Sequence, residues 1–475
     1  MKPCHVIAVD LGAESGRVMD VRFDGETLAQ TEIRRFDNTP VCAQNTLYWD
    51  ILRLWHEIQT GIAQVPGGAS SVGVDTWGVD FGLLDQGGNL LGNPVHYRDT
   101  RTDGLMQWVF ERVPRSTIFA RTGIQFMQLN TLYQMASLVK NHSPLLDLAQ
   151  TYLSIPDLLT YWLSGEIGCE FTHATTTQMF NPQTGDWDRE TMAALGFPTT
   201  IFPAMIPPGS QRGSYKGLKV IAPTTHDTAS AVVAVPTTTE NFAYLSSGTW
   251  SLLGLEVSQP IINEAAAAAN VTNEGGFANT FRFLKNVQGL WMIQQCRATW
   301  AAEGTNYSYD QLTIEAGEAE PFRSLIDPDA AEFLAPGDMP SRIRAFCRQT
   351  DQPEPETVGQ MTRAIFESLA LKYRVTLDKL VELANKSVDR LHIIGGGGRN
   401  KLLCQMTADA TGREVLVGPY EATALGNAIV QLIALGEIES LAQARAILSR
   451  TQQIVHFKPQ PTTAWDEALS RFIHL

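Results

Sequence analysis

Two short stretches of the chain place a carboxylate where phosphate chemistry could use it. The first, VIAVDLGAESGRV, ends an apolar run on Asp10 and continues through a loop of small residues at positions 12–16. Backbone N–H groups in such a loop can approach phosphate oxygens, and its hydroxyl adds a donor. A carboxylate beside a phosphate needs a cation between them, so the pattern indicates Mg²⁺ at Asp10, held through water. Asp10 could equally be a turn residue that accepts hydrogen bonds from Gly12 and Ala13.

The second stretch is APTTHDTASAVVAV, in which His226 and Asp227 follow a Pro/Thr loop. The small and apolar residues after them predict a buried helix, and Thr228 and Ser230 add hydroxyls near its start. The helix dipole and its free N–H groups are a sufficient structural reason for an Asp at that place. The alternative is a general base, which must be a fixed carboxylate within hydrogen-bond reach of a substrate hydroxyl.

Composition limits the classes of protein that these stretches can belong to. With 475 residues, 44% of them hydrophobic, the chain can bury a large core, and at roughly 100 to 200 residues per domain we expect two or three domains. The net charge is -14, and no cluster of Lys or Arg offers a stripe for nucleic acid. No run of about 18 apolar residues occurs, so we expect no membrane partner. The N-terminal apolar run is too short for a signal peptide, which favours the cytoplasm.

The spacing of the cysteines indicates neither a metal site nor disulfide bonds. The six cysteines lie far apart, without a C-x-x-C pair or the histidine spacing of a zinc site. They are interpreted as reduced core or surface thiols.

The elements that must position the two carboxylates alternate between strands and amphipathic helices, which predicts an α/β fold. Residues 6–23 read as a β-hairpin around the small-residue loop, and residues 49–63 read as a helix. The next apolar stretch, SSVGVDTWGVDFGLLD, reads as one strand that also places a carboxylate, Asp75, after apolar residues.

The second half of the chain begins with a similar pattern. A Pro/Thr-rich stretch at 236–239 precedes AYLSSGTWSLLG, again an apolar strand, a small-residue turn and a second strand, which we interpret as a weak internal repeat. A long helix follows, with Ile365, Leu369 and Tyr373 on one face. LHIIGGGGRN then leads a strand into four glycines, with Asn400 placed to cap the next helix. Strand, glycines and helix together indicate a bound nucleotide or phosphate.

Several known motifs are missing from the sequence. No G-x-x-x-x-G-K-S/T run occurs, and GGGGRN does not spell the G-x-G-x-x-G fingerprint of nicotinamide dehydrogenases. G-x-S-x-G and H-E-x-x-H are absent as well, which disfavours hydrolase and zinc-enzyme interpretations.

Taken in order, these stretches resemble the FGGY carbohydrate kinases. The resemblance rests on AVDLGAESGRV, DTWGVDFGLLD, YRDTRT, GIQF with NTLYQ, THDTASAV, YLSSGTWSLLG, TNEGG, LKNVQGLW, IIGGGGRN and EATALGN, which span residues 6–427. It implies the actin/hexokinase-like (ribonuclease H-like) ATPase fold, with two α/β domains and an inter-domain cleft. The expected N-terminal domain, 1–240, binds sugar and carries the first phosphate loop and the catalytic base. The expected C-terminal domain, 241–475, binds ATP and carries the second phosphate loop.

The resemblance also implies roles for individual residues. Asp227 is the expected catalytic base, and Asp10 takes the place associated with Mg²⁺. The expected substrate-binding residues are Gly78, His226, Asp227, Thr228 and Asn286. The expected nucleotide-binding residues are Ala13, Glu14, Ser15, Gly16, Arg17, Thr249, Gln294, Gly395, Gly396 and Gly397.

The implied reaction is transfer of a phosphoryl group from ATP to the O1 hydroxyl of a ketose, with Mg²⁺ as cofactor. L-Rhamnulose, in rhamnose catabolism, is the first expected substrate, and L-fuculose or a pentulose such as L-xylulose is the alternative. A more distant alternative is a non-catalytic or chaperone-like actin-fold ATPase. Two stretches depart from the family pattern: Glu14 stands where a small hydroxyl residue is usual, and FMQLN at 126–130 replaces a more apolar, proline-containing stretch that we expect near the sugar.

Overall fold

The structure is a computed structural model that describes residues 3–460 and 462–475. Its strands are Cys4–Leu11, Ser15–Phe23, Leu28–Asp37, Val41–Ala43, Thr46–Tyr48, Ser71–Thr76, Phe81–Leu84, Thr151–Ser154, Cys169–Glu170, Phe180–Asn181, Asp186–Trp187, Met205–Ile206, Gln211–Tyr215, Leu218–Ile221, Phe242–Ser247, Trp250–Val257, Thr272–Gly275, Phe281–Gln288, Arg390–Ile394, Glu414–Val417 and Val455–Phe457. Its α-helices are Ile51–Gln64, Leu105–Phe110, Arg115–Thr122, Thr131–Lys140, Leu145–Leu148, Ile155–Ser164, Phe171–Ala174, Arg189–Ala194, Asp227–Val233, Glu264–Ala269, Trp291–Ala302, Tyr309–Glu318, Met339–Gln349, Val358–Ala384, Lys401–Thr411, Ala422–Ala434, Leu441–Thr451 and Ala464–Phe472. Short 3-10 helices are Thr100–Thr102, Thr175–Thr177, Thr199–Ile201, Ala331–Phe333 and Gly396–Arg399.

The chain forms two compact units, each built from separated segments. The first unit contains the described residues up to Thr238 together with Glu256–Phe283 and Ala422–Gln452. The second unit contains Thr239–Leu255, Leu284–Glu421 and the described residues from Gln453 onward. A single division after residue 240 does not describe these units, because two later segments pack with the first.

The central sheet of the first unit places charged residues at one end of adjacent strands. Its strands lie in the order Gln211–Tyr215, Leu218–Ile221, Ser71–Thr76, Cys4–Leu11, Ser15–Phe23 and Leu28–Asp37. The strand Cys4–Leu11 pairs antiparallel with Ser15–Phe23 and parallel with Ser71–Thr76. In this register Asp10 lies opposite Arg17 on one side and opposite Asp75 on the other. Directly opposed residues share a face of the sheet, so the three side chains meet.

The N-terminal hairpin that the sequence predicts is confirmed, whereas the single strand expected over SSVGVDTWGVDFGLLD is wrong. The first part ends at Thr76, and Phe81–Leu84 is a separate strand that pairs with Thr151–Ser154. The break lies at Val79, whose φ of 70° is left-handed and incompatible with a continuous strand.

Helix Ala422–Ala434 explains why a late segment of the chain belongs to the first unit. It packs against the strands Cys4–Leu11 and Ser71–Thr76 and against the helix Asp227–Val233. Gly426 makes the helix contact possible, since a Cβ atom there would clash with the backbone of Ser230. The helix is buried over most of its length, which matches its largely apolar sequence.

The second unit repeats the arrangement of a hairpin with a parallel neighbour. Phe242–Ser247 pairs antiparallel with the strand that begins at Trp250 and parallel with Arg390–Ile394, and Glu414–Val417 and Val455–Phe457 follow in the sheet. The predicted cap at Asn400 is present, because its side chain accepts the N–H of Leu403 at 3.0 Å.

Two expectations from composition can be compared with the described residues. The six cysteines are all free of disulfides. Among the described residues, no helix is both long and apolar enough to cross a membrane.

Candidate active site

The end of the first hairpin holds Asp10 in an ion pair. The Asp10 side chain is buried, and its Oδ2 atom accepts hydrogen bonds from Nε of Arg17 at 2.8 Å and from Nη2 at 2.7 Å. The N–H of Gly12 bonds to the carbonyl of Ser15 at 2.9 Å rather than to Asp10. The pair therefore brings together two residues that the family resemblance assigns to Mg²⁺ and to the nucleotide.

The small-residue loop after Asp10 is anchored by Asn38. The Asn38 backbone N–H donates to the carbonyl of Glu14 at 2.9 Å, and its side chain donates to the carbonyl of Gly12 at 2.8 Å. The Glu14 side chain is exposed. At Gly16 the glycine is required by packing, because a Cβ atom would clash with the ring of Phe36 and with a methyl group of Leu11.

Asp75 is a site residue to which sequence reasoning assigned no role. It is completely buried, and its Oδ2 atom accepts a hydrogen bond from Nδ2 of Asn427 at 2.6 Å. Its Oδ1 atom is buried and finds no hydrogen-bond partner in the part of the chain that the structure describes. Burial, followed by the negative charges of Asp10 and Asp227, raises the pKa of Asp75 well above its ordinary value. The repeated pattern of an apolar strand ending on a carboxylate was the available signal.

Asp227 is the first residue of the helix Asp227–Val233, as the sequence predicts, and 28% of its side chain is exposed. Its Oδ1 atom accepts hydrogen bonds from the N–H of Thr228 at 2.5 Å and from the Thr228 hydroxyl at 3.2 Å. No hydrogen bond from the described residues reaches Oδ2. Burial, followed by the charge of Asp10, raises the pKa of Asp227 to about 7. A carboxylate with this pKa is a better proton acceptor at neutral pH than an ordinary one.

His226 lies between Asp227 and a buried arginine. Its Nε2 atom is 3.3 Å from Oδ1 of Asp227, and its Nδ1 atom is 3.0 Å from Nη2 of Arg282. Burial, then the positive charge of Arg282, lowers the pKa of His226 well below its ordinary value, so the ring is neutral at neutral pH. Arg282 was not identified from the sequence.

Gly78 approaches the same histidine. A Cβ atom on Gly78 would lie 3.2 Å from Nε2 of His226 and 3.4 Å from the hydroxyl of Thr176. The structure therefore brings together Gly78, His226, Asp227 and Thr228, four of the five residues predicted to bind sugar. Asn286, the fifth, belongs to the second unit, where it is half-buried on the strand Phe281–Gln288.

The backbone beside Gly78 is held in a strained conformation. The left-handed Val79 carries a β-branched side chain, which makes its φ of 70° a genuine outlier. Its carbonyl accepts the hydroxyl of Thr131 at 2.6 Å, and its N–H donates to the hydroxyl of Thr176 at 3.3 Å. These contacts over-determine the turn and fix the position of Gly78.

Asp80 anchors the other side of this turn. Its buried carboxylate accepts the indole N–H groups of Trp49 at 2.6 Å and Trp77 at 3.0 Å, and the side-chain amide of Gln134 at 2.9 Å. Burial raises the pKa of Asp80 to about 6 despite these donors. The same Gln134 amide donates to the carbonyl of Leu129 at 2.9 Å, which ties the segment 126–130 to the turn.

In the second unit, two predicted nucleotide residues contact each other. Nε2 of Gln294 lies 3.3 Å from the hydroxyl of Thr249, and Oε1 of Gln294 is buried without a hydrogen-bond partner. The carbonyl of Thr249 accepts the N–H groups of Gly289 and Trp291, each at 3.2 Å. Thr249 thus lies in a turn fixed by its backbone, with its hydroxyl held by Gln294.

The glycines predicted to bind the nucleotide pack against the end of Phe242–Ser247. Gly395 has a φ of 87°, and a Cβ atom there would lie 3.0 Å from the carbonyl of Ser247. A Cβ atom on Gly397 would clash with the Ser247 side chain, whereas Gly396 faces open space. Glycine is therefore needed at the first and third positions to let the two backbones approach each other.

The acidic residues of the first unit can be compared with the way proteins hold the predicted Mg²⁺. Among the described residues, no three His, Cys, Asp or Glu side chains converge closely enough to hold a metal ion. Mg²⁺ is commonly held by one or two carboxylates together with waters and substrate phosphates. Asp10, with the buried and unpartnered Oδ1 atom of Asp75 opposite it in the sheet, fits this mode.

Comparison with known protein families identifies the class. The FGGY family of carbohydrate kinases matches the chain twice, with its N-terminal domain over residues 5–222 and its C-terminal domain over residues 243–435. The chain belongs to this family, as its motifs predict. Its α/β architecture is that of the actin/hexokinase-like ATPase fold.

Individual relatives carry a more specific name. The rhamnulokinase of Bacteroides thetaiotaomicron is 44% identical over 481 residues, covering 98% of each chain. The rhamnulokinase of Halalkalibacterium halodurans is 42% identical over 456 residues, covering 94% of this chain and 96% of that protein.

Solved structures show the same fold at low identity. A ligand-bound xylulose kinase from Lactobacillus acidophilus has a TM-score of 0.81 at 16% identity, covering 99% of this chain and 97% of that one. Plasmodium falciparum glycerol kinase with ADP has a TM-score of 0.76 at 16% identity, covering 99% of this chain and 98% of that one.

Proposed function

We propose that the chain is an ATP-dependent ketose kinase of the rhamnulokinase type, which converts L-rhamnulose to L-rhamnulose 1-phosphate in rhamnose catabolism. The observation that carries the proposal is its similarity over nearly the full length to proteins named rhamnulokinase, at 44% and 42% identity. The site geometry adds a base with a raised pKa beside a residue predicted to bind sugar.

Asp227 is the proposed catalytic base. Its Oδ2 atom accepts the proton of the ketose O1 hydroxyl as O1 forms a bond to the γ-phosphorus of ATP, and the bond from that phosphorus to the bridging oxygen of ADP breaks. The Oδ1 atom is already occupied by Thr228, so the carboxylate cannot rotate without losing two hydrogen bonds. Its orientation is therefore fixed before the substrate binds.

The sugar is proposed to lie against the backbone of Gly78 and the ring of His226. The absence of a side chain on Gly78 leaves room beside Nε2 of His226, and the strained Val79 turn keeps that space open. Thr228 and Asn286 are the remaining proposed sugar contacts. The segment Met127, Gln128 and Leu129 is linked to the Val79 turn through Gln134 and is the proposed source of differences in ketose preference.

The proposed nucleotide contacts fall into two groups. In the first unit, Ala13, Glu14, Ser15, Gly16 and Arg17 form or flank the turn after Asp10, whose backbone and guanidinium can donate to phosphate oxygens. In the second unit, the proposed contacts are Thr249, Gln294, Gly395, Gly396 and Gly397. When bound, Mg²⁺ would be held by Asp10 through water and would offset the negative charge of the phosphate oxygens.

The test is a panel of ketoses assayed for ADP release that depends on added sugar. We expect the highest kcat/KM for L-rhamnulose, with lower values for L-fuculose and L-xylulose, since one sugar hydroxyl contact can redirect specificity. A higher kcat/KM for either of the other ketoses would reassign the substrate. ATP hydrolysis that is indifferent to every ketose would refute the kinase proposal itself.

A further inference from the structure

Arg282 is a completely buried cation in the first unit, next to the proposed catalytic residues. Its Nη2 atom lies 3.0 Å from Nδ1 of His226 and 3.1 Å from Oε2 of Glu274, and its Nε atom donates to the carbonyl of Gly275 at 2.9 Å. Burying a guanidinium costs free energy unless the group is paired and hydrogen-bonded. The contact with His226 connects it to the site.

That contact determines which nitrogen of His226 carries the proton. A guanidinium has donors only, so Nδ1 of His226 must accept the hydrogen bond from Arg282. A proton on Nδ1 would face the Arg282 N–H, donor against donor. The other polar atom near Nδ1, Oε2 of Glu274, lies at 3.5 Å and is closer to Arg282 than to the ring. The neutral ring must then carry its proton on Nε2.

The Nε2 atom lies close to the proposed base. Nε2 lies 3.3 Å from Oδ1 of Asp227, the oxygen that already accepts both donors of Thr228. Both hydrogen bonds that Asp227 accepts from the described residues are therefore on Oδ1, and the Nε2 atom of His226 lies beside the same oxygen and not beside Oδ2. A histidine in the opposite tautomer would present a lone pair to Asp227 and would repel the carboxylate, whereas the Nε2–H tautomer presents a positive N–H dipole to it.

We propose that Arg282 is a positioning residue that fixes His226 in the Nε2–H tautomer and thereby makes Oδ2 of Asp227 the oxygen that accepts the substrate proton. The inference rests on the proposed role of Asp227 as base. It also predicts the polarity of the sugar site: because Nε2 can only donate, a substrate oxygen that contacts His226 must be an acceptor.

The tautomer can be measured directly on the intact enzyme without any ligand. The protein is labelled with ¹⁵N-histidine, and long-range proton–nitrogen spectra are recorded at a pH where the ring is neutral. The His226 signals are assigned by their loss in His226→Gln. We expect a protonated Nε2 and an unprotonated Nδ1 in the wild type, and the same pattern in Arg282→Lys, which keeps a donor. A proton on Nδ1 of His226 in the wild-type enzyme would overturn the proposal.

A double-mutant cycle tests whether Arg282 acts through His226. Arg282→Met is expected to lower kcat by about 10-fold with a smaller change in ketose KM, the loss that accompanies one misplaced buried hydrogen bond. In the His226→Gln background the same substitution should lower kcat no further, because its target is already gone. Losses that multiply in the double variant would show that Arg282 does not act through His226.

Arg445→Met is the matched control for removing a buried arginine. Arg445 is also buried and paired, with Glu256 at 2.8 Å and the carbonyl of Val232 at 2.9 Å, but it does not contact His226. We expect Arg445→Met to leave kcat and the His226 tautomer unchanged even if thermal stability falls. If Arg282→Met does not fold, the wild-type and Arg282→Lys spectra still decide the proposal. Unchanged turnover in Asp227→Asn would show that Asp227 is not the base, but it would not contradict the Nε2–H tautomer of His226.

Discussion

Replacing the proposed base gives the sharpest test of the site. In Asp227→Asn the side-chain oxygen can keep the Oδ1 contacts with Thr228, so the helix start is preserved. The amide then occupies the position of Oδ2 and cannot accept a proton. We expect kcat to fall by at least about 10²-fold, a typical contribution of general-base catalysis, with folding and ATP binding retained.

The dependence of wild-type activity on pH tests the raised pKa of Asp227. Its pKa is raised to about 7, and only the deprotonated form can act as base, so activity is present above this pH and is lost as the pH falls through it. We expect kcat/KM near half of its plateau at pH about 7 and near one tenth about one unit lower. An unperturbed carboxylate would keep full activity down to roughly pH 5.

The assay should not depend on coupling enzymes, whose own pH dependence would distort the profile. ADP and sugar phosphate are quantified in quenched samples from about pH 5 to 9, since kcat/KM reports the ionisations of the free enzyme. Ser230→Ala is the control on the same helix, because the Ser230 hydroxyl bonds to Thr224 at 2.6 Å and 2.8 Å instead of to Asp227. A fall of kcat/KM only near pH 4 would refute the assignment of Asp227 as the base. A fall near pH 7 that persists unchanged in Asp227→Asn would refute it as well.

Three further substitutions test other parts of the site. Gly78→Ala places a methyl group beside His226 and is expected to raise the ketose KM by about 10-fold. Gly92→Ala is the control and should leave the ketose KM unchanged, because its methyl group meets open space. The same ketose KM in both variants would contradict the proposed sugar position. Thr249→Val removes the hydroxyl held by Gln294 and should lower kcat more than it raises the ketose KM; a change in KM alone would argue against a phosphate role. Asn427→Ala removes the donor to Asp75 and should lower the free energy of unfolding, measured in urea, by about 1–3 kcal/mol. An unchanged midpoint of the urea unfolding transition would contradict this expectation.

Local patterns were sufficient for several features of the fold and site. The hairpin at residues 4–23, the helix that begins at Asp227 and the cap at Asn400 depend on neighbouring residues, whose spacing and side chains are visible in the sequence. The family resemblance added the carbohydrate-kinase class, which the family comparison confirms. It also supplied the individual residue roles, which stay predictions until the substitutions are measured.

Other features depend on residues that are distant in the chain. Asn427 donates to Asp75 across 352 positions, and Arg282 meets His226 across 56, so no local pattern relates them. The left-handed Val79 contradicts the strand preference of its own neighbours and is held by contacts from Thr131, Gln134 and Thr176, which are distant in the chain.

The sequence by itself therefore determined the class of protein, through its family motifs, and the α/β architecture, through its periodicity, because motifs and periodicity are local properties. It also predicted the residues that carry the chemistry. Only the tertiary structure decided that Asp10 pairs with Arg17, that Asp75 is left with an unpartnered oxygen and that the donors around Asp227 gather on Oδ1. The physical reason is that burial and charge act through space. The pKa of Asp227 depends on its burial and on Asp10, which lies more than two hundred residues earlier in the chain.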